Sequence, residues 1–270
     1  IRYLMRHRHS TPFEMVEFKF HCKMPIFVAR QWVRHRTANI NEYSLRYSEA
    51  RDEFYYPDPE NIQFQSALNK QGRMGEVTPE LKQKVQDYFK EISERSFAIY
   101  AELNQAGIAR ELARSILPVN LYTEWYWKND LHNLLHFIGL RSDSHAQYEI
   151  RVFSDAMAES VKAVAPFAWE AYQDYIVKGM RFSRIEQSLL ERTLPERVID
   201  DINEDIAYQL TATLHSNKAR EEIDLYPLYI KEGGVDSEED FKLKWDSGEI
   251  EIGNVRELRE FKLKLESLKA

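Results

Sequence analysis

Between Thr78 and Leu103 one apolar stripe, Leu81, Val85, Tyr88, Ile92, Ile99 and Leu103, recurs at helical spacing over about seven turns. Thr78-Pro79-Glu80 supplies the start signal, a capping hydroxyl followed by a proline tolerated in the first turn. A helix of this length has little stability alone, so the stripe demands a second layer to pack against. Strand signal is present as well. Val16 to Lys23, VEFKFHCK, alternates apolar and polar residues with a period of two, the pattern of a half-buried strand.

Around these two elements the chain punctuates itself. Residues 1–8, IRYLMRHR, read as a helix already under way, and the sequence opens on Ile1 rather than methionine, so further sequence upstream is expected. His9 to Glu14 reads as a helix stop and turn. Pro25 opens a helix to about Arg36, on which Gln31, Arg34 and His35 share one face while Ile26, Ala29 and Val33 line another. Residues 52–77 lack a period and are expected as a long loop. After Gly107 a helix passes through Arg110, Arg114 and Ile116 to Pro118. Leu131, Leu134, Leu135 and Ile138 mark another, ended by Gly139. The next is expected from about Ser144 to Val177, burying Ile150, Phe153, Met157, Val161 and Val164. Beyond Gly179 the texture turns highly charged, which places a domain break near 180. Two short helical stretches are expected within 182–235, a hairpin at 241–252 around Asp246-Ser247-Gly248. Asn254-Val255-Arg256-Glu257 then reads as a capping box opening a last helix.

Composition narrows the function classes. The net charge of −7 argues against a duplex-binding surface, which needs a basic excess, yet allows a local patch. Cys22 is the only cysteine, so no intrachain disulfide forms, in keeping with a reducing, cytoplasmic compartment. No apolar run reaches the roughly 18 residues that a membrane span requires. Neither G-x-G-x-x-G nor G-x-x-x-x-G-K occurs, so a nucleotide would be held in some other way.

Four clusters carry candidate chemistry. Arg34, His35, Arg36, Asn41, Glu42, Ser44 and Arg46 concentrate donors, and Arg30, Arg34 and Arg36 repel one another unless anions sit nearby. The bland alternative is a Glu42–Arg46 pair on a solvated helix. His132-x3-His136 followed by His145-x3-Glu149 has metal-ligand spacing, against the alternative of a polar helix edge. Arg141 follows an apolar helix and precedes a helix start that Asp143 or Ser144 would cap, a place suited to an anion. Arg110 and Arg114 read as surface charges. Ser44 as a nucleophile would need His35 as its base, and the run offers no tight nucleophile turn.

The spacing Arg34-His35-Arg36, seven residues, Ser44 resembles the signature of the flavin-dependent thymidylate synthases. HSTPFE (9–14), PIFVARQWVRHR (25–36), NEYSLRYS (41–48), ARSILPVNLYTEWYW (113–127) and LRSDSHAQYEI (140–150) are similar to that family in order and approximate spacing. The resemblance covers roughly residues 1–177 and leaves the tail, 181–270, unexplained. It implies an α+β fold, an antiparallel-rich sheet flanked by long helices, over residues 1–180. It also implies reductive methylation of dUMP to dTMP, with methylenetetrahydrofolate as carbon donor and NADPH as reductant of a bound FAD. The active sites would be shared between subunits of a homotetramer.

Carried over by position, Thr11, Arg34, His35, Arg36, Asn41, Glu42 and His136 would contact FAD. Asp130 and His132 stand where some members have asparagine and arginine beside the flavin. Gln31, Arg34, Glu42, Ser44, Leu45, Arg46, Arg114 and Arg141 would hold dUMP, and His9 would lie in the folate pocket. Arg141 matches the catalytic arginine, suited to stabilising charge that builds on the uracil ring. Ser44 then becomes a ligand rather than a nucleophile, and Cys22 does not match the cysteine of the other thymidylate synthase class. A serine that touches FAD in the family would lie upstream of Ile1. No metal, nucleic acid or membrane is implied. The competing readings are a metal-dependent hydrolase using His132, His136, His145 and Glu149, and an RNA-binding module built on the arginine-rich helix.

Overall fold

Thr123, Trp125, Trp127 and Asn129 are buried on one face of a strand to which the expectations above attach no element. This strand, β5 (Tyr122–Asp130), is the centre of the sheet. In the computed structural model, which describes residues 1–67 and 72–193 together with 202 and 261, β1 (Glu17–Pro25) and β2 (Asn39–Glu42) pair with it antiparallel, in the order β1-β5-β2. Aromatic and β-branched side chains suit such a pleated, half-buried surface. The alternation expected over 16–23 is met by β1, where Phe18, Cys22 and Met24 face the core. Helices cover that inner face, so the α+β expectation holds. The chain divides into two units, Ile1–Met180 and Arg181–Ala270.

Several helix boundaries differ from expectation, each for a packing reason. α1 (Arg2–Arg6) is followed not by a plain turn but by a one-turn helix, α2 (Thr11–Glu14), which buries Phe13. α3 (Ile26–Trp32) stops four residues short of Arg36. Its last residue, Trp32, is fully buried among Trp125, Trp127 and Phe137, with ring centroids 5.5, 5.3 and 4.9 Å away. The chain must then reverse to lay β2 on β5, and the amide of His35 turns back onto the Trp32 carbonyl at 2.9 Å. Gln31, Arg34 and His35 therefore do not share a helix face.

α4 (Pro79–Gln105) begins where expected, with Thr78 as N-cap, but its buried face is another one. Tyr88 and Ile92 are 53% and 56% exposed, whereas Ser93 and Tyr100 are buried. Tyr100 packs with Ala50, Ala113 and Leu121 in a second small core, and its hydroxyl oxygen accepts from the Ala50 amide at 2.9 Å. Ser93 Oγ accepts from the Asn120 amide at 3.0 Å. These hydrogen-bonded positions decide the helix rotation, because leaving them buried and unpaired would cost more than exposing apolar carbon. Gly107, at φ +77°, ends the helix in the left-handed region. A short helix, α5 (Arg110–Ala113), and a 3-10 turn (Arg114–Ile116) follow.

α6 (Leu131–Arg141) runs through Gly139 instead of stopping there. The glycine serves close packing: a Cβ at that position would stand 2.9 Å from the hydroxyl of Tyr172. α7 (Tyr148–Val164) starts at Gln147 rather than Ser144, since Asp143 Oδ1 accepts from the His145 amide at 2.8 Å in a local turn instead of capping the helix. Pro166 breaks the expected long helix into α7, α8 (Pro166–Tyr172) and a π-helical turn (Gln173–Val177). Ile150, Met157 and Val161 are buried as expected; Val164 is exposed. In the second unit α9 (Arg184–Thr193) is described. The hairpin expected at 241–252 lies outside the described residues, as does the last helix expected from Asn254 apart from Phe261.

The expected loop over 52–77 is mostly irregular, with a 3-10 turn (Pro59–Asn61) and a minimal hairpin of β3 (Phe64–Gln65) and β4 (Arg73–Met74). It is tied down by charge. Arg73 Nη2 lies 2.7 Å from each oxygen of the buried Glu149 carboxylate, and the Tyr55 hydroxyl donates to the same group at 2.8 Å. Burial alone pushes the Glu149 carboxyl up, but the hydrogen bonds from Arg73 and Tyr55 outweigh it and its pKa falls below the usual range. Replacing Arg73 by methionine strands a buried carboxylate. The expected loss is about 3 kcal/mol in urea unfolding, the low end for a broken buried pair because Arg73 is one-third exposed. Tyr55→Phe should cost about 1 kcal/mol in the same assay.

Candidate active site

Most of the residues named from the sequence fall in two polar patches. The first is built where the turn after α3 meets α6. Arg141, the last residue of α6, donates from Nε to His35 Nε2 at 2.9 Å. The His35 ring stands edge-on to Phe137 at 4.9 Å and to His136 at 6.1 Å. Beside them Thr37 Oγ1 donates to Asn133 Oδ1 at 2.9 Å. His132 and His136 are exposed on α6. Asp130 has a structural task, since its two oxygens accept from the Asn133 amide at 2.8 Å and from Asn133 Nδ2 at 2.7 Å. Arg34 and Arg36 are exposed, and among the described residues neither has an acidic partner. Gln31 Oε1 is buried with no hydrogen-bond donor among the described residues.

The second patch surrounds Ser44. Leu45 packs into the small core under α4, which fixes the loop. Ser44 Oγ accepts from the Arg46 amide at a long 3.3 Å and has no histidine partner among the described residues, so the nucleophile reading gains nothing. Arg46 reaches Glu111 at 3.4 Å, and Arg110 reaches Glu49 at 3.0 Å and the Tyr47 carbonyl at 3.1 Å. Arg114 is half-buried with no acidic partner among the described residues. The Glu42–Arg46 helical pair does not form, because Glu42 ends β2 and its Oε1 accepts from Thr123 Oγ1 at 2.7 Å. Strand alternation sends Asn41 to the outer face with Tyr126, opposite Glu42. Among the described residues no hydrogen bond joins this patch to the His35–Arg141 pair. His9 lies in the link between α1 and α2, against Tyr3 at 5.8 Å and His7 at 6.5 Å, and Thr11 opens α2, which packs on α6.

The metal alternative loses its carboxylate, since Glu149 is held by Arg73 and Tyr55. Among the described residues no group of three His, Cys, Asp or Glu side chains is placed to hold an ion. A cavity of about 620 Å³ opens between α4 and the 55–63 loop, lined by Phe27, Tyr55, Arg73, Tyr88 and Glu149, and none of the residues assigned to FAD, dUMP or folate lines it. Also among the described residues, no helix is long and apolar enough to cross a membrane. Sequence reasoning missed Thr37, Asn133 and Phe137. Asn133 was legible as the third residue after the Asp130 cap; the other two act only through tertiary contact.

Burial, and then the charges of Arg141 and His136, lower the His35 pKa from the usual 6.5 to about 4. Burial also lowers that of Arg141, which stays a cation at any physiological pH. The unfolded chain therefore binds the extra proton at His35 between about pH 6.5 and 4, and stability falls as pH drops through that window. In His35→Gln this part of the acid sensitivity should vanish, so melting temperature declines less steeply across the window than in the parent protein. An unchanged slope would contradict a neutral, half-buried His35.

The chain is similar to known proteins along most of its first unit. The family model described as thymidylate synthase complementing protein matches residues 1–167. A flavin-dependent thymidylate synthase from Rickettsia conorii is 52% identical over 207 residues, covering 72% of this chain and 70% of that one. One from Dictyostelium discoideum is 51% identical over 186 residues, covering 69% and 61%. Among solved structures, a UMP/dUMP methylase, PolB from Streptomyces cacaoi, bound with 5-Br UMP, superposes with a TM-score of 0.61 at 34% identity, over 64% of this chain and 80% of that one. A family model spanning more than half of the chain, together with relatives identical at about half of the aligned positions, establishes that it belongs to the flavin-dependent thymidylate synthase family of enzymes.

Proposed function

We propose that this protein methylates dUMP to dTMP reductively, taking the carbon from methylenetetrahydrofolate and using a bound FAD that NADPH reduces. The observation that carries the reading is Arg141, half-buried and hydrogen-bonded through Nε alone, so that both terminal nitrogens remain uncommitted among the described residues. Relatives named for the same reaction, and a dUMP methylase of the same fold, support it.

The donor set suits these ligands. FAD and dUMP bring several phosphates, and Arg34, Arg36 and Arg114 are cations without acidic partners among the described residues. The orphaned Gln31 carbonyl oxygen suits an imide N–H of a nucleobase. When bound, the reduced flavin supplies the hydride. Arg141 presents fixed positive charge to the uracil edge where negative charge builds as bonds change at the ring carbons, and it neither gives nor takes a proton. Arg34 and Arg36 orient phosphate groups, and the α6 face with His132 and His136 flanks the flavin. Sharing of sites in a homotetramer is supported by the opposite faces of Asn41 and Glu42, two residues named for the same ligand. Residues 1–180 would carry the activity and 181–270 an accessory extension, in a cytoplasmic enzyme.

Purified protein should absorb in the visible as a flavoprotein and form dTMP from dUMP, methylenetetrahydrofolate and NADPH; bound zinc or iron without flavin would sink the reading. Arg141→Lys should lower dTMP formation by about 10²-fold or more while flavin absorbance is retained, measured by turnover and spectrum together. Arg34→Ala should weaken retention of both flavin and dUMP, read by dialysis and by titration.

A further inference from the structure

We infer that His35 is a positioning residue for Arg141: its Nε2 accepts the guanidinium Nε–H, so that the two terminal nitrogens face the ligand together as an end-on fork. The inference rests on the reading of Arg141 as the group that meets the uracil ring. A guanidinium offers two bidentate edges, one formed by Nε with a terminal nitrogen and one by the two terminal nitrogens. Occupying Nε closes the first and leaves the second, an edge suited to a pyrimidine carbonyl oxygen on which negative charge builds.

The arrangement is braced at both ends. On the His35 side, the ring packs edge-on against Phe137 at 4.9 Å, Phe137 stacks on the fully buried Trp32 at 4.9 Å, and the His35 amide donates to the Trp32 carbonyl at 2.9 Å. On the Arg141 side, the next residue closes the helix, its amide donating to the Ile138 carbonyl at 2.8 Å. The Ser142 hydroxyl meets that of the fully buried Ser154 at 2.9 Å, which holds the end of α6 against α7. Acceptance at Nε2 requires the neutral ring with its proton on Nδ1, and this is the form that burial and the neighbouring cation favour.

The test compares His35→Leu, which removes the acceptor, with His35→Gln, whose amide oxygen can reach the same Nε–H, each as the flavin-loaded full chain. His35→Leu should lose about 10²-fold in kcat, the scale of a reacting group misplaced by about 1 Å, with a smaller rise in KM for dUMP and flavin absorbance retained. His35→Gln should recover most of that loss. In the parent protein the imidazole nitrogen signals should report Nε2 as unprotonated and hydrogen-bonded at neutral pH, and Arg141→Lys should shift them. Parent-like turnover of His35→Leu, a glutamine variant no better than leucine, or loss of flavin in step with loss of activity overturns the positioning role. Arg141→Lys run beside them separates the two claims. If it is crippled while His35→Leu is normal, only the positioning fails. If it turns over normally, the reading of Arg141 itself falls, and the positioning with it.

Discussion

Trp32 is the contact from which the candidate site hangs. Its indole is edge-on to both Trp125 and Trp127 on the central strand and stacked on Phe137 of α6. One side chain thus clamps the end of α3 to the sheet and to the helix that ends in Arg141. Everything between Val33 and Asn39 is a short bridge between two fixed points, Trp32 below and β2 beside it. A bridge so tethered can hold an imidazole within hydrogen-bond distance of a guanidinium without secondary structure of its own. The close packing of large rings transmits that constraint because interiors deform little.

The electrostatics follow from the same clamp. Two basic groups, His35 and Arg141, are brought within 2.9 Å, which is tolerable only because one of them stays neutral. Elsewhere cations find carboxylates: Arg73 with Glu149, Arg110 with Glu49, Arg46 with Glu111. Arg34, Arg36 and Arg114 do not among the described residues, and neither does Arg141.

Much of the scaffold was legible because local rules sufficed. Thr78 and Pro79 announce the long helix, and the alternation of β1 puts Phe18, Cys22 and Met24 on the core side. Failures came where tertiary demands override local pattern. Tyr100 and Ser93 turn α4 toward their hydrogen-bond partners, away from the apolar stripe. Gly139 reads as a stop but is a clearance for Tyr172. The Thr123-Trp125-Trp127 alternation was there to be read and went unused, obscured by the tyrosines and charged residues between. At the site, the arginine motif and Arg141 could be named from the sequence; that His35 would spend its lone pair on Arg141, 106 positions away, could not.

The edge position of β2 gives the signature spacing a mechanical meaning. The seven residues between Arg36 and Ser44 include all of β2, and their neighbours alternate faces: Ile40 and Glu42 inward, Asn39 and Asn41 outward. Adding or deleting one residue in that interval would slide the strand by one step against β5 and exchange the two sets, carrying Glu42 away from Thr123. The interval therefore works as a ruler. Its length, more than the identity of most residues in it, sets which side chains reach each side of the sheet, and a ruler of this kind tolerates substitution while forbidding insertion.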